Sequence, residues 1–81
     1  MNRIQIRLDN FESIRDFHLW LKAECHFPDY YGCNLDALYD CLRENPSLEF
    51  EVLPSVKHEE YQATLVDTLI DAGCKVYFLF E

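Results

Sequence analysis

The sequence predicts an α/β fold: a three-stranded parallel sheet packed by helices in two layers, in the order β-α-α-β-α-β. Three observations predict it. Two short runs, at residues 4–8 and 48–52, alternate apolar and polar residues with the period of a half-buried strand. Stretches with apolar residues at helical spacing lie between and after them. A last apolar run, at 76–80, comes just after a glycine placed to end a helix. Helices between successive strands imply parallel strands joined by right-handed crossovers.

Ile4, Ile6 and Leu8 alternate with Gln5 and Arg7, which puts a first strand at about 3–8. Ser13, with Asp16 three residues on, resembles a capping box, and Ile14, Phe17, Leu21 and Cys25 then recur at helical spacing. The first helix should span about 13–26 and end before Pro28. Asp29-Tyr30-Tyr31-Gly32-Cys33 reads as a loop with a flexible point at Gly32. Asn34 is a good N-cap for a second helix that carries Leu35, Leu38 and Leu42 on one side and stops near Arg43, before Asn45-Pro46.

Leu48, Phe50 and Val52 alternate with Glu49 and Glu51, giving a second strand at about 47–53, closed by Pro54. From Ser55 or Val56 to Ala72, the residues Tyr61, Leu65, Leu69 and Ala72 fit a third helix that Gly73 terminates. A third strand follows at about 75–80. The first two strands each have one polar face, so helices should cover one side of the sheet and the other should be wet. Val76-Tyr77-Phe78-Leu79-Phe80 is apolar on both faces and fits that picture poorly.

Eighty-one residues make one domain, expected to span 1–81, with little room for a deep pocket. Fifteen acidic against seven basic residues give a net charge of −8, which repels phosphate backbones and anionic lipid. Nucleic acid and membrane are therefore poor partners. The N-terminal residues contain no apolar export segment, so a soluble cytoplasmic protein with reduced thiols is expected. A zinc site could draw on Cys25, His26, Cys33 and Cys41, but their spacing matches no zinc motif. No cofactor is expected.

The acidity is concentrated. Residues 29–51 hold Asp29, Asp36, Asp40, Glu44, Glu49 and Glu51 against Arg43 alone, a net charge of −5. On the second helix the leucines point one way, and Asp36, Tyr39, Asp40 and Arg43 the other. With Tyr30-Tyr31 just before it, this face combines aromatic anchors and charge as protein interfaces do. A plain solvated face would account for Asp36 through the helix dipole, and for Asp40 through an ion pair with Arg43. It would not account for the tyrosines. Catalysis by Asp36 and Asp40 would need one of them buried to raise its pKa, and both lie on a convex polar face, so no enzyme is expected. His18, among Ile14, Phe17 and Leu21, reads as a packed helix histidine.

The run Phe27-Pro28-Asp29-Tyr30-Tyr31-Gly32-Cys33-Asn34-Leu35-Asp36-Ala37-Leu38-Tyr39-Asp40-Cys41-Leu42 closely resembles the signature of the barstar family of ribonuclease inhibitors. The resemblance extends to Asp16, His18 and Leu21 and to Gly73-Cys74 with the apolar run after them. It implies the same parallel three-stranded fold, and a protein whose second helix and preceding loop plug the active site of a basic microbial ribonuclease. Carried over residue by residue, it makes Tyr30, Asn34, Asp36, Tyr39 and Asp40 contact residues, with Asp40 standing where a substrate phosphate would bind. Tyr31, Gly32, Arg43, Asp67 and Asp71 are additional candidates.

The chain departs from the family pattern in several places. Tyr39 stands where the family archetype has a tryptophan, and Cys33 where it has an acid. The segment between the second strand and the last helix is shorter, so a short helix of the archetype should be missing. A further contact carboxylate of the family falls near Thr68, for which Asp67 or Asp71 would substitute. The resemblance thus implies an antitoxin or immunity protein, expected as a monomer, whose partner is a ribonuclease toxin. The alternatives are immunity against a different nuclease or toxin, a non-inhibitory interaction module on the same scaffold, and a redox or metal sensor built on Cys33.

Overall fold

In a computed structural model, which describes residues 2–80, the elements follow the expected order. They are β1 (Asn2–Ile6), a 3-10 turn (Leu8–Asn10), α1 (Ile14–Cys25), α2 (Leu35–Arg43), β2 (Leu48–Val52), α3 (Glu59–Asp71) and β3 (Lys75–Phe78). The three strands form one parallel sheet in the order β1-β2-β3. Ile6 pairs with Val52 and Val52 with Phe78. Successive right-handed crossovers that advance in one direction put every helix on the same side. This explains the two layers.

The buried face of the sheet supplies Ile6, Phe50 and Val52 to the core. Phe17 and Leu21 of α1, Leu38 and Leu42 of α2, and Leu65 and Leu69 of α3 meet them, all fully buried. Each such side chain contributes about 1.5–3 kcal/mol relative to exposure. The opposite face is polar. There Arg3 bonds Glu49 at 3.1 Å and Glu51 at 3.2 Å, and its guanidinium lies 4.3 Å from the ring centre of Tyr77. That stacking resolves part of the puzzle of β3, since Tyr77 belongs to the wet face with a cation over its ring. The strand is an edge that stops at Phe78, short of the expected residue 80; Phe78 is exposed, as is Phe80 beyond it.

The helix ends are set by local chemistry. The Ser13 hydroxyl accepts from the Asp16 amide at 3.1 Å and starts α1. His26, at φ 57°, closes it in the left-handed conformation, with the Phe27 amide donating to the Lys22 carbonyl at 3.0 Å. Gly73, at φ +90°, ends α3 as expected, and the Cys74 amide returns to the Leu69 carbonyl at 3.1 Å.

Two further boundaries differ from expectation for one shared reason. Leu8 lies in the 3-10 turn, not in the first strand, and α3 begins at Glu59, not near Ser55. The Asp9 carboxylate accepts from the Ser55 hydroxyl at 2.7 Å and from the amides of Val56 at 3.1 Å and Lys57 at 3.0 Å. These donors are held outside the helix by a long-range partner, and the chain around Asp9 turns to reach them. His58 adds a bond from Nε2 to the Phe11 carbonyl at 2.9 Å. No short helix intervenes between β2 and α3 among the described residues, as the shorter segment implied. Nor is any helix among them long and apolar enough to cross a membrane.

Candidate protein-binding face

The side chain of Asn34 builds the start of α2. Its Oδ1 accepts from the Ala37 amide at 2.8 Å, and its Nδ2 donates to the Gly32 carbonyl at 3.3 Å. Each polar atom of this predicted contact residue makes one bond to its own chain, and together they fix the direction of the helix. Gly32 is exposed, and a Cβ there would lie 3.2 Å from Asn34 Nδ2 and 3.5 Å from Ala37 Cβ. Its role is close approach to the cap. Cys33, between them, takes φ 56°, a left-handed conformation unusual for a residue with a Cβ.

From this start α2 projects Asp36 and Asp40 into solvent. No hydrogen bond or ion pair among the described residues engages either carboxylate. The Asp40–Arg43 ion pair by which a plain solvated face would account for Asp40 is not formed. Arg43 Nη1 instead donates to the Tyr39 hydroxyl at 2.8 Å, with the guanidinium 5.6 Å from the ring centre. An exposed ion pair gains little, and the planar guanidinium does as well over an aromatic face. Asp40 is left open, beside a half-buried Tyr39 that Arg43 orients.

The two adjacent tyrosines have opposite fates. Tyr30 is 83% exposed, at the tip of a turn closed by the Tyr31 amide to the Pro28 carbonyl at 3.0 Å. Tyr31 is 6% exposed, its ring 4.9 Å from that of Phe27. The side chain of Tyr31 belongs to the core, so Tyr30 is the tyrosine that the loop turns to solvent. Its hydroxyl meets His18 Nδ1 at 2.6 Å, while His18 Nε2 meets the Tyr61 hydroxyl at 2.5 Å. Burial holds the His18 imidazole down at about 4. Sequence reasoning placed His18 in the core but missed its two partners, which come from a loop and from α3.

The acidic middle of the chain is not one patch. Glu49 and Glu51 lie on the wet face of the sheet with Arg3, so the carboxylates that the α2 face offers are chiefly Asp36 and Asp40. Asp67 and Asp71 are exposed on α3, which packs against α2. Thr68 turns its hydroxyl to the Thr64 carbonyl at 3.0 Å. A shallow groove beside Asp36 is lined by Ile14, Cys33, Leu35 and Tyr61.

All four cysteines are free thiols. Burial pushes Cys25 up to about 12 and raises Cys41 and Cys74. Among the described residues no group of three or more His, Cys, Asp or Glu could hold a metal ion.

A two-layer α/β domain that presents a capped helix with exposed carboxylates and aromatic neighbours has the kind of surface that protein-binding modules use. Comparison with known proteins makes this specific. The family model described as Barstar (barnase inhibitor) matches residues 1–76. A curated protein of Bacillus subtilis (strain 168), named "Putative ribonuclease inhibitor YrdF", is 39% identical over 71 residues, which cover 88% of this chain and 76% of that protein. The chain belongs to the barstar family.

Proposed function

We propose that this chain is a stoichiometric inhibitor of a ribonuclease, acting in the cytoplasm as the immunity protein against that enzyme, and that it plugs a basic active site with α2 and the preceding loop. The observation that carries this reading is the α2 face itself, where Asp36 and Asp40 stand exposed and unengaged among the described residues, next to Tyr39 and preceded in the chain by the exposed Tyr30. Membership of the barstar family, and likeness to a protein named as a ribonuclease inhibitor, support the general role.

The physical basis is substitution of carboxylates for phosphates. A ribonuclease must gather cationic donors where it binds the RNA backbone, and charge-assisted bonds to a fixed carboxylate satisfy those donors equally well. Asp36 and Asp40, four residues apart, lie one turn from each other, about 6 Å along the axis. The helix pre-organises them, so little side-chain or loop ordering is left to oppose binding. Tyr30 and Tyr39 supply apolar contact area around the charges. No bond is made or broken.

The test is calorimetric titration of an inactivated basic ribonuclease with wild type, Asp40→Ala and Leu38→Ala. Asp40→Ala should fold normally and bind more weakly by about 2–5 kcal/mol, the general cost of truncating one partner of a buried, hydrogen-bonded charge pair in a protein interface. Leu38, fully buried, should behave inversely: its truncation costs about 2–5 kcal/mol of stability without removing a partner contact. Equal binding by Asp40→Ala and wild type would show that α2 is not the plug.

A further inference from the structure

We propose that His18 is a positioning residue for the binding loop, clasping it through the hydroxyls of Tyr31 and Tyr61. This rests on the reading of α2 and its loop as the partner surface. The loop spans residues 26–34 and holds two residues with a Cβ at positive φ, His26 and Cys33. Such conformations persist only where the surroundings impose them. At its ends they are imposed by the closure of α1 and by the Asn34 cap. In its middle the side chain that anchors it is Tyr31, which enters the core and reaches the imidazole of α1, itself held from the other side by α3. One buried ring thus ties the loop to two helices.

The proton arrangement follows from exposure. A neutral imidazole offers one donor and one acceptor. Tyr31 is buried, its hydroxyl has no other partner among the described residues, and a buried O–H left undonated is costly. Tyr31 therefore donates to Nδ1, and Nε2–H donates to the oxygen of Tyr61, which is half-buried and can turn its own O–H to water. The arrangement fixes the Nε2–H tautomer and orients every member. Because the turn from Pro28 to Tyr31 carries Tyr30 at its tip, anchoring Tyr31 also sets where Tyr30 points.

Cys33 reports the loop without any partner, since it is half-buried with Sγ 3.9 Å from the Tyr31 carbonyl. In Tyr31→Phe the ring stays and the clasp opens. Its Cys33 should react with a thiol reagent roughly tenfold faster than in wild type, the equivalent of one lost hydrogen bond. Cys25, Cys41 and Cys74, located by peptide mass spectrometry, should change far less. His18→Leu should do the same, and His18→Gln, which keeps a donor and an acceptor, should partly restore the slow rate. Nitrogen NMR of wild type should show Nε2 protonated and Nδ1 bare. Equal acceleration at all four thiols, or none at Cys33, would overturn the clasp, because a merely stabilising triad acts on the whole molecule. A parallel arm titrates inactivated barnase. If wild type fails to bind it while Cys33 alone responds, the clasp stands and the inhibitory reading falls for that enzyme.

Discussion

His18 shows how one buried side chain links the core to solution conditions. In the folded protein the imidazole is fully buried and titrates near 4, whereas in the unfolded chain it takes the ordinary value of 6.5. The groups that face it are the two tyrosine hydroxyls, both of whose pKa values are raised by burial, so neither supplies a charge to stabilise an imidazolium. As pH falls below 6.5 the unfolded state takes up a proton that the folded state refuses. Stability should therefore decline between pH 6.5 and about 4, by up to about 3 kcal/mol, and this contribution should level off below that window. Asp9 acts lower on the scale. Its bonds from Ser55 and Val56 hold the carboxyl below its usual 3.8, so its contribution is intact above that value and is lost as pH drops further. Denaturant titrations across pH should show the two declines separately, and His18→Gln should remove only the upper one. The sequence disclosed the histidine's burial through its apolar neighbours. It could not disclose that Tyr31 turns in and Tyr30 out, since the loop has no periodicity from which to read a face.

At the scale of elements, the α2 cap was legible because its chemistry is local. An asparagine followed by leucines at helical spacing specifies an N-terminus within a few residues of chain, and the structure starts the helix there. The start of α3 was not legible, because the turn at 55–57 answers to Asp9, 46 to 48 residues away in the chain. The last strand was not legible from alternation either, because its apolar residues do not share one fate: Val76 is half-buried against the core, Tyr77 lies under the Arg3 guanidinium on the wet face, and Phe78 is exposed. For Asn34 the locality makes a sharp expectation. Asn34→Ala removes the acceptor for the Ala37 amide and the donor to the Gly32 carbonyl. It should cost about 1 kcal/mol of stability. It should also speed hydrogen exchange at the Ala37 amide and weaken nuclease binding beyond that cost, because the helix then starts less uniquely. Asn34→Asp keeps the acceptor and should restore most of the stability. Should Asn34→Ala lose stability but bind as tightly as wild type, the cap would matter to the fold and not to the presentation of Asp36.

For the whole molecule, the charge distribution decides how a partner arrives. The net charge is −8, and the four bases among residues 1–28 are balanced there by four acids, so the excess lies in the rest of the chain. On the sheet face Glu49 and Glu51 are paired with Arg3, while Asp36 and Asp40 on α2 stand exposed toward solvent. The field is thus polarised toward the helical layer. A basic nuclease approaching it is drawn to the face that must dock, and the association rate constant should exceed that of an uncharged pair and fall steeply with ionic strength. The screening length shrinks from about 10 Å at 0.1 M salt to about 3 Å at 1 M, so steering should vanish over that range while short-range contacts persist. Stopped-flow association at several salt concentrations separates the two, because the dissociation rate should change much less. Asp40→Ala and a charge removal remote from α2, Glu51→Gln, then make opposite controls. The first should lower the association rate and raise dissociation. The second leaves Arg3 with one fewer charged partner on the far face and should alter neither by much. An association rate constant that is indifferent to salt would mean that the partner is not recognised through these carboxylates, and that the surface of α2 is acidic without being an electrostatic bait.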